Sequence, residues 1–204
     1  PLTQRVADSI RTRMPVSRIM RPPGKPVMVQ FTNGLVREFD EVVIATHSDE
    51  ALKMLGDPTD HERAVLGAMP YRENEVILHT DTRLLPKTQR AWSSWNYRLK
   101  PENGRATVTY NMNILQGLDA PETFCVTLND TTSINPHRVL GRFNYAHPQF
   151  TLEGMQAQQR WADINGHNGT WFCGAYWQNG FHEDGLASGL RVAENLCSAR
   201  QMAA

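Results

Sequence analysis

One stretch, residues 170–197, constrains the fold of this chain most, because it predicts a strand, a glycine-rich turn and a helix in that order. Residues 170–173 form a short β-branched and aromatic run of the kind that a buried strand uses, and Gly174 ends it. Apolar residues then recur at helical spacing at Leu186, Leu190, Ala193 and Cys197. We therefore predict that this face of the helix packs inward.

The turn between the two elements has the properties of a ligand-binding end. Gly180 and Gly185 bracket residues 181–184, so the backbone can approach a ligand closely, and Asp184 can cap the helix. Free backbone N–H groups at a helix N-terminus attract anionic or electron-rich oxygens. An ordinary strand-to-helix turn with a good N-cap explains the same residues, and both interpretations stay open at this point.

The run GFHEDGLASG in this turn resembles the C-terminal flavin-contacting motif of the flavin-containing amine oxidase superfamily, which includes protoporphyrinogen oxidases and phytoene desaturases. In that family an aromatic residue follows the glycine, and the next backbone N–H groups face the isoalloxazine ring. The resemblance implies that Gly180, Phe181, His182 and Glu183 are the corresponding positions here.

Most of the remaining chain is similar to the bacterial branch often described as predicted NAD/FAD-binding proteins, through VVIATHSDEAL, AWSSWNY, VTYNMN and TWFCGAYW. This similarity implies that Gly174 and Ala175 address the ribityl chain of FAD. It places Val16 on the adenine side, and Ala45 where a strand runs into a helix near the cofactor.

The sequence departs from the family pattern in two places. Ala175 stands where the family usually carries an acidic residue, and the sequence contains no GxGxxG motif to bind the FAD pyrophosphate. We therefore expect the N-terminal Rossmann half to be absent, and the chain alone to bind FAD weakly or not at all. The start at Pro1 without Met suggests a processed or truncated chain.

Strand patterns in the middle of the chain predict an α+β protein with a mostly antiparallel sheet. Turn signals separate five strand candidates, at residues 75–80, 91–97, 106–111, 124–128 and 139–145. The resemblance implies a division into three segments. Residues 1–56 form a partial FAD-binding domain with a helix, a β-meander and a strand–helix pair. Residues 57–150 form the substrate-domain sheet, and residues 151–204 form the C-terminal helix–strand–turn–helix of the FAD domain.

Two short motifs predict local structure within this frame. Asn33 and Gly34 tolerate positive φ and predict a hairpin turn. Thr59 and Glu62 have capping-box spacing, which predicts a short helix that Gly67 ends.

Aromatic residues in the second and third strand candidates point to a binding surface or a packing surface. Trp92 and Trp95 are separated by an odd number of residues, so in one strand they would face opposite sides of the sheet. Together with Tyr110 they could form the wall of an apolar substrate pocket or pack against a neighbouring domain.

Composition excludes several classes of function. The chain has 204 residues with 21 basic and 21 acidic side chains, so there is no electrostatic case for nucleic acid, and no apolar run is long enough to predict a membrane span. Three scattered cysteines fit a reducing compartment, and we expect a cytoplasmic protein. His182, Glu183 and Asp184 are consecutive, and consecutive side chains do not converge on one metal ion, so we predict no metal site.

The resemblance thus favours a portion of an FAD-dependent oxidoreductase that abstracts hydride from an amine or an unsaturated, lipid-like substrate. In such an enzyme the residues named above act as contacts to flavin and substrate, because the cofactor performs the chemistry. The expected partners are the missing dinucleotide-binding half, a small-molecule substrate and a second copy in a homodimer. The alternative is a non-catalytic binding or assembly module that dimerises through its aromatic face.

Overall fold

The protein, seen in a computed structural model, is described for residues 3–99 and 107–203, apart from the side chains of residues 200, 202 and 203. It divides into two compact units. The first combines Pro1–Tyr71 with Pro148–Ala204, and the second is Arg72–His147. Helices and antiparallel sheets are both present, so the predicted α+β class is confirmed.

The helices and strands follow one another in this chain order: β1 (Val16–Met20), β2 (Val27–Phe31), β3 (Val36–Phe39), β4 (Val42–Ile44), α1 (Ser48–Met54), α2 (Asp60–Gly67), β5 (Tyr71–His79), β6 (Trp95–Arg98), β7 (Thr107–Asn111), α3 (Met112–Gln116), β8 (Cys125–Leu128), β9 (Val139–Pro148), α4 (Leu152–Gln158), β10 (Thr170–Phe172) and α5 (His182–Ala203). A short 3₁₀-helix with exposed side chains precedes β1 at Gln4–Ser9.

The first unit contains the predicted β-meander. Strands β1, β2 and β3 form an antiparallel sheet, and the Asn33–Gly34 turn joins the last two. Gly34 has φ +85°, which a side chain rarely adopts, and the Asn33 Oδ1 accepts the Leu35 N–H at 3.1 Å. The hairpin prediction is confirmed.

A second, parallel pairing joins distant parts of the first unit. Strand β4 lies beside β10, with Ile44 opposite Phe172. Both side chains are buried in a core that also holds Val65, Leu66 and Trp161. Strand β10 is buried on both faces, which explains its continuous apolar character, whereas Val43 of β4 is 43% exposed.

A buried ion-pair network links the end of β1 to the start of α2. The Arg21 guanidinium donates to both carboxylate oxygens of Glu62, one of them at 2.8 Å, and to Asp57 Oδ1 at 3.0 Å. Glu62 also accepts the Thr59 N–H at 2.7 Å, while Thr59 Oγ1 accepts the Glu62 N–H at 3.2 Å. The predicted capping box is therefore confirmed, and its glutamate has a second role that its spacing did not indicate.

The second unit is built on one sheet with the strand order β6-β7-β8-β5-β9. The pairs β6–β7, β7–β8 and β8–β5 are antiparallel. All five strand candidates correspond to strands, although their bounds differ and residue 106 lies outside the described residues. The largest difference is at residues 91–94: Gln89–Ala91 is a 3₁₀-helix, and β6 begins only at Trp95.

One face of this sheet carries a buried polar network. The Asp81 N–H donates to His79 Nδ1 at 3.1 Å, so the ring proton lies on Nε2, which contacts Thr127 Oγ1 at 2.8 Å. Thr127 Oγ1 in turn lies 2.8 Å from Thr109 Oγ1. Burial lowers the pKa of His79 despite the nearby Asp81 carboxylate, so the imidazole is neutral near pH 7.

Within the described part of the chain, no helix is both long enough and apolar enough to cross a membrane.

The ion-pair network generates a stability prediction. Glu62→Gln removes the buried carboxylate that faces the Arg21 guanidinium and leaves Arg21 paired with the partly exposed Asp57, and breaking a buried ion pair costs about 3–5 kcal/mol. We expect urea unfolding to show a loss of that order. Glu153→Gln, an exposed residue in the first turn of α4, is the matched control and should change stability by less than about 0.5 kcal/mol. Equal losses in the two variants would contradict this account.

Candidate functional site

The parallel pairing places two chain segments at one edge of the first unit. Strands β4 and β10 run in the same direction, and the Cys173 N–H donates to the Ile44 carbonyl at 3.1 Å. The residues that follow the strands, Ala45 and Gly174, therefore leave the sheet at the same edge. Ligands of α/β folds bind outside the carboxyl ends of parallel strands, so this edge is a candidate site.

The turn after β10 is closed by a backbone hydrogen bond and is also bound by a glutamine side chain. The Gly180 N–H donates to the Ala175 carbonyl at 3.2 Å. The Gln158 Nε2 donates to the carbonyls of Tyr176 at 2.9 Å and Gln178 at 2.7 Å. The structure thus brings the predicted site residues Ala175 and Gly180 together, and it adds Gln158, which the sequence analysis missed because no motif links α4 to this turn.

Gly180 has a conformation that a side chain would disturb. Its φ is +87°, and a Cβ placed on it would lie 3.4 Å from Phe150 and 3.5 Å from Pro148. A β-branched residue here would therefore strain the backbone and crowd its neighbours.

Helix α5 begins directly after this turn. The Asp184 carboxylate accepts the Phe181 N–H at 2.9 Å and the Asn179 N–H at 3.2 Å. Because α5 begins at His182, Asp184 lies inside its first turn, and the prediction that Asp184 is the N-cap residue was wrong. Phe181, His182 and Glu183 are exposed. The first backbone N–H groups of a helix have no carbonyl partner within it, so those of His182 and Glu183 point out of the α5 N-terminus.

A buried hydroxyl fixes α5 against the strand end. Ser188 is buried, and its Oγ accepts the Gly174 N–H at 3.1 Å. This contact keeps the predicted residue Gly174 close to the first turns of α5. Sequence analysis missed Ser188, because serine at this spacing has no signal apart from its position in a helix.

The face of α5 that packs inward is not the one predicted. Leu186 and Leu190 are 59% and 55% exposed, and Cys197 is also exposed. The buried side is formed by Ser188 and Val192, with Leu196 packed against the core. The prediction was wrong because α5 carries apolar residues on two faces, and helical spacing alone does not say which face meets the core.

The remaining predicted contact of this unit, Val16, lies at the start of β1. It lines a cavity of about 390 Å³ together with Thr46, Glu50, Lys53 and Met54. Because Thr46 follows Ala45, Val16 lies near the segment that leaves β4.

In the second unit, the other face of the sheet is apolar. The strand registers place two rows of side chains on it. The first row is Trp95, Tyr110, Val126 and Leu78, and the second is Tyr97, Val108, Leu128 and Val76. Of these eight side chains only Val76 is buried, and Trp95 and Tyr97 are 53% and 62% exposed.

Two of the predicted wall residues lie on this apolar face, and one does not. Trp95 and Tyr110 are cross-strand neighbours with ring centroids 5.5 Å apart in an edge-to-face contact. Trp92 precedes β6, so the strand argument about opposite faces does not apply to it. Its indole Nε1 donates to the Pro86 carbonyl at 2.8 Å.

Comparison with known proteins supplies the family. The model of the family described as flavin containing amine oxidoreductase matches residues 1–197. The chain belongs to this family. No curated protein sequence matches it.

Solved structures of related fold agree with this assignment. A CLA-producing fatty acid isomerase from P. acnes superposes with a TM-score of 0.61 at 15% identity, over 89% of this chain and 47% of the other. A putrescine oxidase bound to putrescine gives 0.61 at 11% identity, over 97% and 51%. A candidate protoporphyrinogen oxidase from Exiguobacterium sp. 255-15 gives 0.57 at 14% identity, over 96% and 50%. The chain therefore spans about half the length of these proteins.

The family implies an FAD-type cofactor in the full protein, and the residues present fit one end of it. The α5 N-terminus, the positive φ of Gly180 and the shared edge of β4 and β10 fit an electron-rich ring that the backbone approaches closely. The pyrophosphate end has no glycine-rich turn in this sequence.

Three phenol and thiol groups near the site stay protonated at neutral pH because their pKa values are raised. Burial raises the pKa of Tyr71, which stacks on His47, to about 12, with Asp49 and Glu50 adding to the effect. Burial also raises the pKa values of Tyr176 and Cys173.

Across residues 3–99 and 107–203, no group of three or more His, Cys, Asp or Glu side chains could hold a metal ion.

The orientation of α5 predicts different effects for two substitutions. Val192→Ala removes a buried side chain and should cost about 2 kcal/mol of unfolding free energy. Leu190→Ala removes one that is more than half exposed and should cost less than about 1 kcal/mol in this chain. Urea denaturation of both variants measures the difference, and a larger loss for Leu190→Ala would contradict the orientation.

Proposed function

We propose that this chain is the substrate-domain sheet and the C-terminal part of the FAD domain of a flavin-dependent oxidoreductase. In the complete protein it would abstract hydride from an amine or from an unsaturated, lipid-like substrate. The observation that carries the proposal is the convergence of the α5 N-terminus, the Gly180 turn and the carboxyl ends of β4 and β10 in a member of the amine oxidoreductase family.

Each predicted contact has a role in this proposal. Residues 180–183 address the isoalloxazine ring through backbone N–H groups, and Gly174 and Ala175 lie along the ribityl chain. Val16 lies on the adenine side, and Ala45 lies near the cofactor where β4 leads toward α1. Bound flavin supplies the hydride acceptor, while these residues orient the ring and exclude water from it.

The sequence segments take corresponding roles. Residues 1–56 and 151–204 contribute to the FAD domain, and residues 57–150 carry the substrate-domain sheet. Trp92, Trp95 and Tyr110 remain the proposed substrate-wall residues, with the strongest support for the two on the apolar face. The names of the similar structures include both a diamine and a fatty acid, so they leave both substrate classes open.

The exposed stripe of α5 supports a missing partner. Leu186, Leu190, Ala193 and Cys197 form an apolar stripe along α5, and extended apolar surface seldom stays free in water. We propose that a dinucleotide-binding half covers this stripe in the complete protein, and that the chain alone forms a homodimer.

Three free cysteines are consistent with the reducing cytoplasm.

Cofactor binding by the isolated chain follows from the sequence. Much of the affinity of a dinucleotide site comes from the glycine-rich turn and the helix that follows it, and this chain has no such turn. We expect the dissociation constant of FAD to lie above about 1 μM, which is weak for a dinucleotide cofactor. Quenching of flavin fluorescence measures it, and tighter binding would show that residues 1–204 hold a full site.

The Gly180 turn can be tested in the complete protein. Gly180→Val introduces a side chain at φ +87° and beside Phe150, so we expect the turn to move and flavin to be lost. Flavin absorbance per polypeptide and the melting temperature are the two measurements.

Gly34→Val is the matched control. Gly34 has a similar φ of +85°, with open space around it, and lies in the β2–β3 hairpin. The Gly34→Val protein should therefore have comparable backbone strain and keep its flavin. If Gly180→Val keeps full flavin content, or if both variants lose it equally, the turn is not part of the flavin site.

A further inference from the structure

A cavity of about 530 Å³ lies beside the edge strand β6 in the second unit. The cavity has an apolar wall and a cationic wall. Leu84, Leu85, Pro86, Trp95 and Tyr97 contribute apolar surface. Its charged lining residues are Arg83, Lys87 and Arg98, and no carboxylate is found among the described residues that line it.

Two of these cations form ion pairs with buried carboxylates. Asp81 binds Arg83 through Nε at 2.8 Å and Nη2 at 2.5 Å, and Asp130 lies 3.9 Å from Arg98 Nη1. The Asp81 and Asp130 side chains are 2% and 1% exposed, whereas those of Arg83 and Arg98 are 66% and 54% exposed. The Arg83 guanidinium holds the pKa of Asp81 below its usual range, so the pair stays charged. The Arg83 guanidinium is thus held by hydrogen bonds on one side and accessible on the other, and the exposed Arg98 guanidinium lies within ion-pair distance of Asp130.

The cavity is continuous with the apolar face of the sheet. Trp95 and Tyr97 line the cavity and are also the first members of the two apolar rows. Each row crosses four neighbouring strands, so it is about 14 Å long at the usual strand spacing. All eight side chains of the rows are uncharged.

We propose that the cavity beside β6 binds the carboxylate of a long-chain fatty acid whose hydrocarbon chain lies along the two apolar rows. The cationic wall attracts a carboxylate and repels an ammonium group, and the rows offer an uncharged surface to the chain. This assigns the substrate class to the anionic, lipid-like alternative and disfavours an amine. The identity of this ligand as substrate rests on the proposed function, whereas its binding is independent of flavin.

Binding is tested with the 204-residue chain in the absence of FAD. The fluorescent fatty acid cis-parinaric acid is titrated onto the protein and then displaced with dodecanoate, dodecylamine or dodecanol, which share one chain length. We expect displacement in the order dodecanoate, dodecanol, dodecylamine, with at least about a tenfold preference for the carboxylate over the amine. Equal or stronger displacement by dodecylamine, or no parinarate binding, overturns the proposal.

Two pairs of variants locate the site. Lys87→Glu reverses an exposed charge of the cavity and should weaken parinarate binding roughly threefold to tenfold, with the difference shrinking in high salt. Lys25→Glu makes the same charge change in the first unit and should leave binding unchanged.

The second pair tests the apolar rows. Tyr97→Ala should weaken binding about tenfold, whereas Tyr145→Ala, which removes a similarly exposed ring from β9, should not. Wild-type binding by both Lys87→Glu and Tyr97→Ala overturns the proposal, even if parinarate binds elsewhere on the chain.

Light scattering of the chain and of Tyr97→Ala detects the competing occupant, a second copy of the protein. A dimer that Tyr97→Ala dissociates, together with parinarate binding only to the monomeric variant, would show that the apolar rows form an interface and would overturn the proposal. Because these measurements use no flavin, they can fail while Gly180→Val still loses its cofactor, and the reverse result is equally distinguishable.

Discussion

The parallel pairing of β4 with β10 is the constraint on which the first unit depends. It joins two three-residue strands that lie far apart in sequence, and the whole second unit is inserted between them. Short strands pair stably only when their side chains are buried, and here Ile44 and Phe172 lie in the same core. The Trp171 Nε1 adds a hydrogen bond of 2.8 Å to Glu41 at the same junction. This pairing also creates the edge at which Ala45, Gly174 and the α5 N-terminus meet.

The residues of the candidate flavin site are suited to positioning a ligand. Gln158 donates hydrogen bonds to the turn, while Ser188 and Asp184 accept backbone N–H groups, and together these bonds hold the turn and the start of α5 in place. The nearby phenol and thiol groups of Tyr176 and Cys173 stay protonated because burial raises their pKa values. A site of this kind positions a ring and leaves the electron chemistry to the cofactor, which agrees with the family assignment.

The sheet of the second unit distributes its polar and apolar residues in an unusual way. Threonines, His79 and Cys125 are buried on one face and satisfy one another or the backbone. On the other face Trp95 and Tyr97 are exposed, and five of the other six row side chains are only partly buried. A sheet that only needed a core would bury its apolar face. The proposed fatty-acid site gives the partly exposed face a function, and the cavity at the β6 edge brings Arg83, Lys87 and Arg98 next to Trp95 and Tyr97.

The sequence by itself determined the local elements, namely the Asn33–Gly34 hairpin, the Thr59 capping box and the approximate strand positions of the antiparallel sheet. These depend on propensity and spacing over a few residues. Tertiary structure alone decided which face of α5 is buried, because two faces are apolar and only packing against the core selects Val192 over Leu190. It also decided that Trp92 lies outside β6, where a hydrogen bond to Pro86 fixes its indole ring. The cationic cavity was invisible for the same reason, since Arg83, Lys87 and Arg98 are brought together only by the fold.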